Sequence, residues 1–203
     1  MIVILDYGMG NVKSISNMLD RAKVENIITS DVLKINEGDK YILPGVGSFD
    51  EGMRRISKAN WLDTLEYNIL ELKKPILGIC LGMQLLTNRS EEGGLAGLSW
   101  IDTEAVKFDN SDLIVPHMGW NDVSVLAEDS AMFAGIHNQS DFYFVHCCNF
   151  IAKGNDMVVA TYEYGDKFVA AIQSKNIFAT QFHPEKSQED GLRLLENFIG
   201  WNP

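Results

Sequence analysis

Cys80 lies between two glycines in Gly78-Ile79-Cys80-Leu81-Gly82, directly after the apolar residues Ile76 and Leu77. A nucleophile two residues from a glycine on either side, between a strand and a helix, has the spacing of a nucleophile elbow, here with a thiol in place of a hydroxyl. Such a turn strains the backbone of the nucleophile and leaves no room for neighbouring Cβ atoms, which is why glycines flank it. The thiol then points out of the sheet over the first N–H groups of the next helix, an environment that favours thiolate. A thiol at neutral pH also needs a base, and the base needs an orienting group. The chain has four histidines: His117, His137, His146 and His183. His183 stands in Thr180-Gln181-Phe182-His183-Pro184-Glu185, at the end of an apolar strand, with Pro184 fixing the turn beyond it. His183 and Glu185, two apart, leave an extended segment from the same face. Glu185 can then hold one imidazole nitrogen while the other faces the thiol. His117 and His146 read as packing residues. No His/Cys spacing supports a metal, Cys147-Cys148 lacks the gap of a zinc or redox pair, and no cofactor is called for.

Two glycine-rich turns follow other strands. Pro44-Gly45-Val46-Gly47 comes after Tyr41–Leu43 and reads as an oxyanion donor loop, its backbone N–H groups able to face a developing negative charge. Asp6-Tyr7-Gly8-Met9-Gly10-Asn11 comes after Ile2–Leu5. It lacks the third glycine and the following acidic strand end of a dinucleotide fingerprint, so it reads as a turn for close helix packing or as a contact face.

These side chains need a sheet to carry them. The predicted strands are Ile2–Leu5, Ile27–Thr29, Tyr41–Leu43 and Ile76–Ile79. Helices are expected from Val12 to Ala22, from Asp50 to Leu72, and from the elbow to Asn88, with a turn over Arg89–Gly94. Beyond Ile101 the texture changes to short strands: Ile101–Phe108, Leu113–His117, Asn121–Val125, Phe142–Cys147, Met157–Tyr162, Phe168–Gln173 and Ile177–Gln181. A last helix spans Gln188–Ile199. Strand–helix alternation followed by strands predicts a three-layer α/β/α domain covering residues 1–203, its mostly parallel sheet carrying an antiparallel extension.

Composition sets the class of partner. The formal charge is −11 over 203 residues, which argues against nucleic-acid and anionic-membrane surfaces. No run is long enough to span a bilayer. The N-terminus, Met1-Ile2-Val3-Ile4-Leu5-Asp6, reads as a first strand and not a signal peptide. Three cysteines, two of them adjacent, point to a reducing, cytoplasmic setting.

Taken together, Gly78–Gln84 and Phe182-His183-Pro184-Glu185 resemble the motifs of the class I, or triad, glutamine amidotransferases. Asp6–Asn11, Pro44–Gly47, Pro116-His117-Met118-Gly119-Trp120-Asn121, Tyr143-Phe144-Val145-His146 and His183–Ser187 narrow the resemblance. They match the branch that supplies ammonia to a (βα)8-barrel synthase in histidine biosynthesis. The resemblance implies that Cys80 attacks glutamine, His183 moves the proton and Glu185 orients His183. The oxyanion would be held by backbone N–H groups of Leu81 and of Gly45, Val46 and Gly47. Gln84, Glu92 and Cys147 would contact the substrate. Met118, Trp120, Tyr143 and Lys186 would face the barrel. The chain departs from the family at Cys147-Cys148-Asn149, where Ser or Thr and then an aromatic residue are usual. A related branch serves acetamidino-sugar pathways, and this departure keeps that reading open. The elbow alone also suits a cysteine peptidase or a DJ-1-like thiol protein, against which Gln84 and Pro116–Asn121 argue.

Overall fold

A computed structural model of the chain describes residues 1–109, 113–127, 129–152 and 155–203. Strand β1 (Ile2–Leu5) shows how the layers arise. Its Ile2 and Ile4 pack with Ile15 and Leu19 of helix α1 (Val12–Arg21) and with Leu194 and Phe198 of helix α6 (Gln188–Gly200). Its Val3 and Leu5 pack on the opposite face with Phe49, Met53 and Ile56 of helix α3 (Phe49–Lys58). Alternate side chains leave opposite faces of a strand, so a four-residue apolar run demands cover on both sides, and the helices supply it.

The remaining parallel strands are β2 (Asn26–Thr29), β3 (Lys40–Leu43), β4 (Ile76–Ile79) and β12 (Ile177–Thr180). Antiparallel strands β11 (Asp166–Ser174), β10 (Val158–Tyr164), β7 (His117–Val125) and β8 (Ser140–His146) extend the sheet. Among the described residues the order is β2-β1-β3-β4-β12-β11-β10-β7-β8, with the change of direction between β12 and β11. The mixed three-layer arrangement is the one expected. A smaller sheet joins β5 (Arg89–Ser90), β6 (Thr103–Lys107) and β9 (Cys148–Ala152). Among the described residues no helix is long and apolar enough to cross a membrane.

Several boundaries differ from the sequence reading. The helix expected over Asp50–Leu72 is broken. α3 stops at Lys58, Ala59 is extended (ψ 123°), and α4 (Leu62–Glu66) runs on as a π-helical turn over Tyr67–Glu71. Burial of Trp61 to 1% exposure fixes that break. Helix α5 (Leu81–Leu85) ends before the expected Asn88. The N–H groups of Leu98, Ser99 and Trp100 bond back to the carbonyls of Leu85, Thr87 and Leu86 and close the helix end. Arg89–Ser90, expected as a turn, pairs with β6 as a strand. Residues 113–116, expected as strand, are not, while the whole of His117–Val125 is one strand paired with β8. A short helix α2 (Val32–Asn36), capped by the Asp31 carboxylate on the Leu33 N–H at 2.9 Å, and strand β9 are absent from the sequence reading. With only Ile35 buried, α2 leaves no periodic trace.

Candidate active site

The C-terminal ends of β1, β3, β4 and β12, neighbours in the sheet, point the same way. The turns leaving them bring Asn11, Pro44–Gly47, Cys80 and His183 to the same edge of the sheet. Ligands of open α/β sheets bind at that edge, where strand order reverses.

Cys80 follows β4 with φ 53° and ψ −109°, a left-handed backbone rare for a residue with a Cβ. The strain therefore sits on Cys80 itself, the central residue of the elbow. The flanking glycines answer a steric demand. A Cβ on Gly82 would lie 1.9 Å from the Leu43 carbonyl oxygen, and one on Gly78 would lie 2.7 Å from Leu86 Cδ1. Gly45 is pinched in the same way, with Gly82 N and Leu81 Cβ each 2.7 Å from where its Cβ would be. The elbow and the donor loop are thus in backbone contact. Cys80 Sγ lies 3.5 Å from the Val145 carbonyl oxygen, and Gln181 Nε2 donates to the sulfur at 3.7 Å.

His183 Nδ1 donates to Glu185 Oε1 at 2.8 Å, and both side chains are 1% exposed. Glu185 Oε1 also accepts from Asn11 Nδ2 at 2.9 Å. Burial alone would lower the His183 pKa, but Cys80 and Glu185 outweigh it and push it up to about 10. Burial would raise Glu185, yet the His183 and Asn11 hydrogen bonds and the imidazolium charge hold it below the ordinary carboxylate range. His183 Nε2, sealed from solvent, makes no hydrogen bond among the described residues and lies close enough to Cys80 to feel its charge. The ensemble is an imidazolium between a sulfur and a carboxylate.

Cys80 opens into a cavity of about 510 Å³ lined by Val46, Gly47, Leu81, Gln84, Glu92 and Cys147, with Asn11, Val145, His146 and Lys186 on its rim and walls. Gln84 is buried, and its Oε1 has no protein partner among the described residues. Glu92 Oε2 accepts from the Phe49 N–H at 3.3 Å, at the start of α3, which holds its carboxylate in place. Cys147 is exposed and is the single residue between β8 of the large sheet and β9 of the small one. Burial and the charges of Glu92 and Cys80 push its thiol pKa up, so it is a poorer nucleophile than an ordinary cysteine.

The four expected interface residues also gather. Met118 and Trp120 are 62% and 47% exposed on one face of β7. Trp120 pairs across the strands with Tyr143, ring centroids 5.9 Å apart, and Lys186 Nζ lies 5.2 Å from the Tyr143 ring centre. Two residues at the site do not stand out in the sequence. Gln181 is two before His183 on the same strand end, a spacing that carries the signal. Asn11 is brought in across 174 residues, which no local pattern reveals. His117 and His146, read as packing residues, are buried, with 3.2 Å between His117 Nδ1 and His146 Nε2.

A class-I glutamine amidotransferase family model matches residues 3–201. The HisH 1 subunit of imidazole glycerol phosphate synthase from Campylobacter jejuni subsp. jejuni serotype O:23/36 is 48% identical over 201 residues, 98% of each chain. HisH 2 proteins of Methanococcus maripaludis and Pseudomonas aeruginosa are 47% and 44% identical, again over 98% of each chain. Among solved structures, PurLQS from Thermotoga maritima superposes with TM-score 0.71 at 19% identity, covering 98% of this chain and 97% of that one. The glutaminase domain of Trypanosoma brucei CTPS gives 0.67 at 16% identity, over 100% and 94%. At such identities these two show the shared fold. The chain belongs to the class-I glutamine amidotransferases and, within them, to the HisH subunits of imidazole glycerol phosphate synthase.

Proposed function

We propose that residues 1–203 act as one glutaminase unit in which Cys80 Sγ attacks the side-chain amide carbon of free L-glutamine. His183 gives its Nε2 proton to the leaving ammonia, the thioester forms, and His183 then takes a proton from water as that water attacks the thioester and releases glutamate. Glu185 keeps the imidazole oriented and charged. Backbone N–H groups of Leu81 and of the Gly45–Gly47 segment stabilise the oxyanion. Gln84 and Glu92 hold the substrate's polar ends, with Glu92 placed for its ammonium, and the Cys147 segment closes the cavity. The observations that support this reading are the His183–Glu185 pair at 2.8 Å, the proximity of Cys80 that helps raise the His183 pKa, and the opening of Cys80 into the cavity lined by Gln84 and Glu92.

Ammonia released here passes to a HisF-type (βα)8-barrel partner. That partner joins it to PRFAR, a phosphorylated ribulosyl aminoimidazole carboxamide, giving imidazole glycerol phosphate and AICAR. A dry path between the two proteins keeps ammonia unprotonated, and so nucleophilic. Met118, Trp120, Tyr143 and Lys186 form the face toward that barrel. The relatives are named as subunits of imidazole glycerol phosphate synthase, which does not favour the acetamidino-sugar reading. The test is glutamine hydrolysis with and without the barrel and its ligand. Cys80→Ala is expected to lose at least about 100-fold in kcat; a variant as active as wild type would end the proposal.

A further inference from the structure

The turn Asp6–Asn11 has no part in the chemistry just described, yet it touches both halves of the site. At one end the Tyr7 hydroxyl, buried, donates to the Pro44 carbonyl at 2.6 Å. It also lies 2.8 Å from where a Gly45 Cβ would stand, so it packs directly on the first residue of the donor segment. In the middle, Gly10 takes φ +113°, and a Cβ there would meet Pro44 Cβ at 2.9 Å and Gly45 N at 3.2 Å. At the other end Asn11 is the N-cap residue of α1, but its side chain makes no cap hydrogen bond. Its amide donates instead to Glu185 Oε1, the same oxygen that accepts the His183 hydrogen bond. An asparagine in that place ordinarily satisfies its own helix; this one is committed to the triad carboxylate.

We infer that the Asp6–Asn11 turn is a positioning element, with Tyr7 fixing the Pro44–Gly47 segment against the elbow and Asn11 fixing Glu185 in the same frame. The inference rests on the glutaminase reading and adds two positioning residues to it. The geometry sets what each does. The Pro44 carbonyl and the Gly45 N–H belong to one planar peptide, so what holds the carbonyl also fixes the direction of that N–H. A two-glycine segment resists rotation weakly by itself, and a buried tyrosine bond of 2.6 Å supplies the missing restraint. Burial and the nearby Cys80 charge raise the Tyr7 pKa far above the working range, so the hydroxyl stays a donor. Asn11 donates to the anionic form of Glu185 and favours it over the protonated form.

The test compares Tyr7→Phe and Asn11→Ala with wild type, each in complex with the barrel partner. Tyr7→Phe keeps the ring and its packing. Its kcat for glutamine hydrolysis should fall about tenfold while KM stays within about twofold. Alkylation of Cys80 by iodoacetamide should proceed at the wild-type rate, because that reaction forms no oxyanion. Asn11→Ala should move the acid limb of the kcat/KM profile upward by about half a pH unit or more, as Glu185 becomes easier to protonate. An unchanged kcat in Tyr7→Phe, alkylation falling in step with hydrolysis, or an unmoved acid limb in Asn11→Ala would each overturn the inference. Those results leave the glutaminase reading standing, since that reading fails only if Cys80→Ala still hydrolyses glutamine.

Discussion

His183 is the residue on which the proposed chemistry turns. Its imidazole is buried, which by itself costs the charged form, and yet Cys80 and Glu185 keep that form populated up to about pH 10. A group that must protonate departing ammonia benefits from holding its proton through neutrality, and it can serve as base only after giving that proton up. Replacing Glu185 with Gln removes the anion and the fixed acceptor at Nδ1. The expected outcome is a His183 pKa below the wild-type value, read by NMR of the labelled imidazole, with kcat for glutamine hydrolysis down by about 10²-fold. An unshifted imidazole would separate Glu185 from His183.

At the scale of elements, the elbow depends on close approach more than on chain flexibility. A Cβ at Gly82 would enter the Leu43 carbonyl at 1.9 Å, a backbone atom on a buried strand, while nothing lies within 4 Å of a Cβ at Gly94. Gly82→Ala is therefore expected to lower stability by about 3 kcal/mol or more, and Gly94→Ala to stay within about 0.5 kcal/mol, both measured by urea unfolding. The same elements show what the sequence carries and what it hides. The parallel strands are readable as short apolar runs ending in glycine turns, and Cys80, His183 and Glu185 can be picked out because each stands at such an end. The break at Ala59–Trp61 is not, because Trp61 continues the apolar spacing of a helix while its burial forces the chain out of one. β9 escapes a sequence reading because the chain changes sheets within one residue, Cys147, and residue type does not mark that switch. The Asn11–Glu185 bond joins the first turn to the last and is set by the strand order alone.

For the whole molecule, two buried histidines pull stability in opposite directions with pH. His146 is held down to about 3, first by burial and then by the neighbouring His117 and His183, with its bond to the Cys148 carbonyl opposing. Its ordinary value is 6.5, so as pH falls below 6.5 the unfolded chain takes up a proton that the folded chain refuses. Stability then drops by about 1.4 kcal/mol per unit, or about 2 kcal/mol between pH 6.5 and about pH 5. His183 behaves oppositely: its folded value lies above 6.5, so its contribution is complete below pH 6.5 and is lost as pH climbs toward 10. Thermal unfolding across pH should show both limbs, and His146→Gln should flatten the acid one. The β7–β8 face belongs to this scale too. Trp120→Ala, truncating a side chain 47% exposed in the free chain, is expected to weaken association with the barrel partner by about tenfold or more, read by calorimetry, without changing the stability of the chain alone by more than about 0.5 kcal/mol.

The central claim is that one sulfur among three cysteines attacks glutamine's amide carbon because of where the fold holds it. A diazoketone analogue of glutamine, incubated with the complex of this chain and its barrel partner and followed by peptide mass spectrometry, reads that directly. One adduct, on Cys80 and suppressed by excess glutamine, is the predicted result. An adduct on Cys147 or Cys148 in its place, or labelling that glutamine does not suppress, would contradict it.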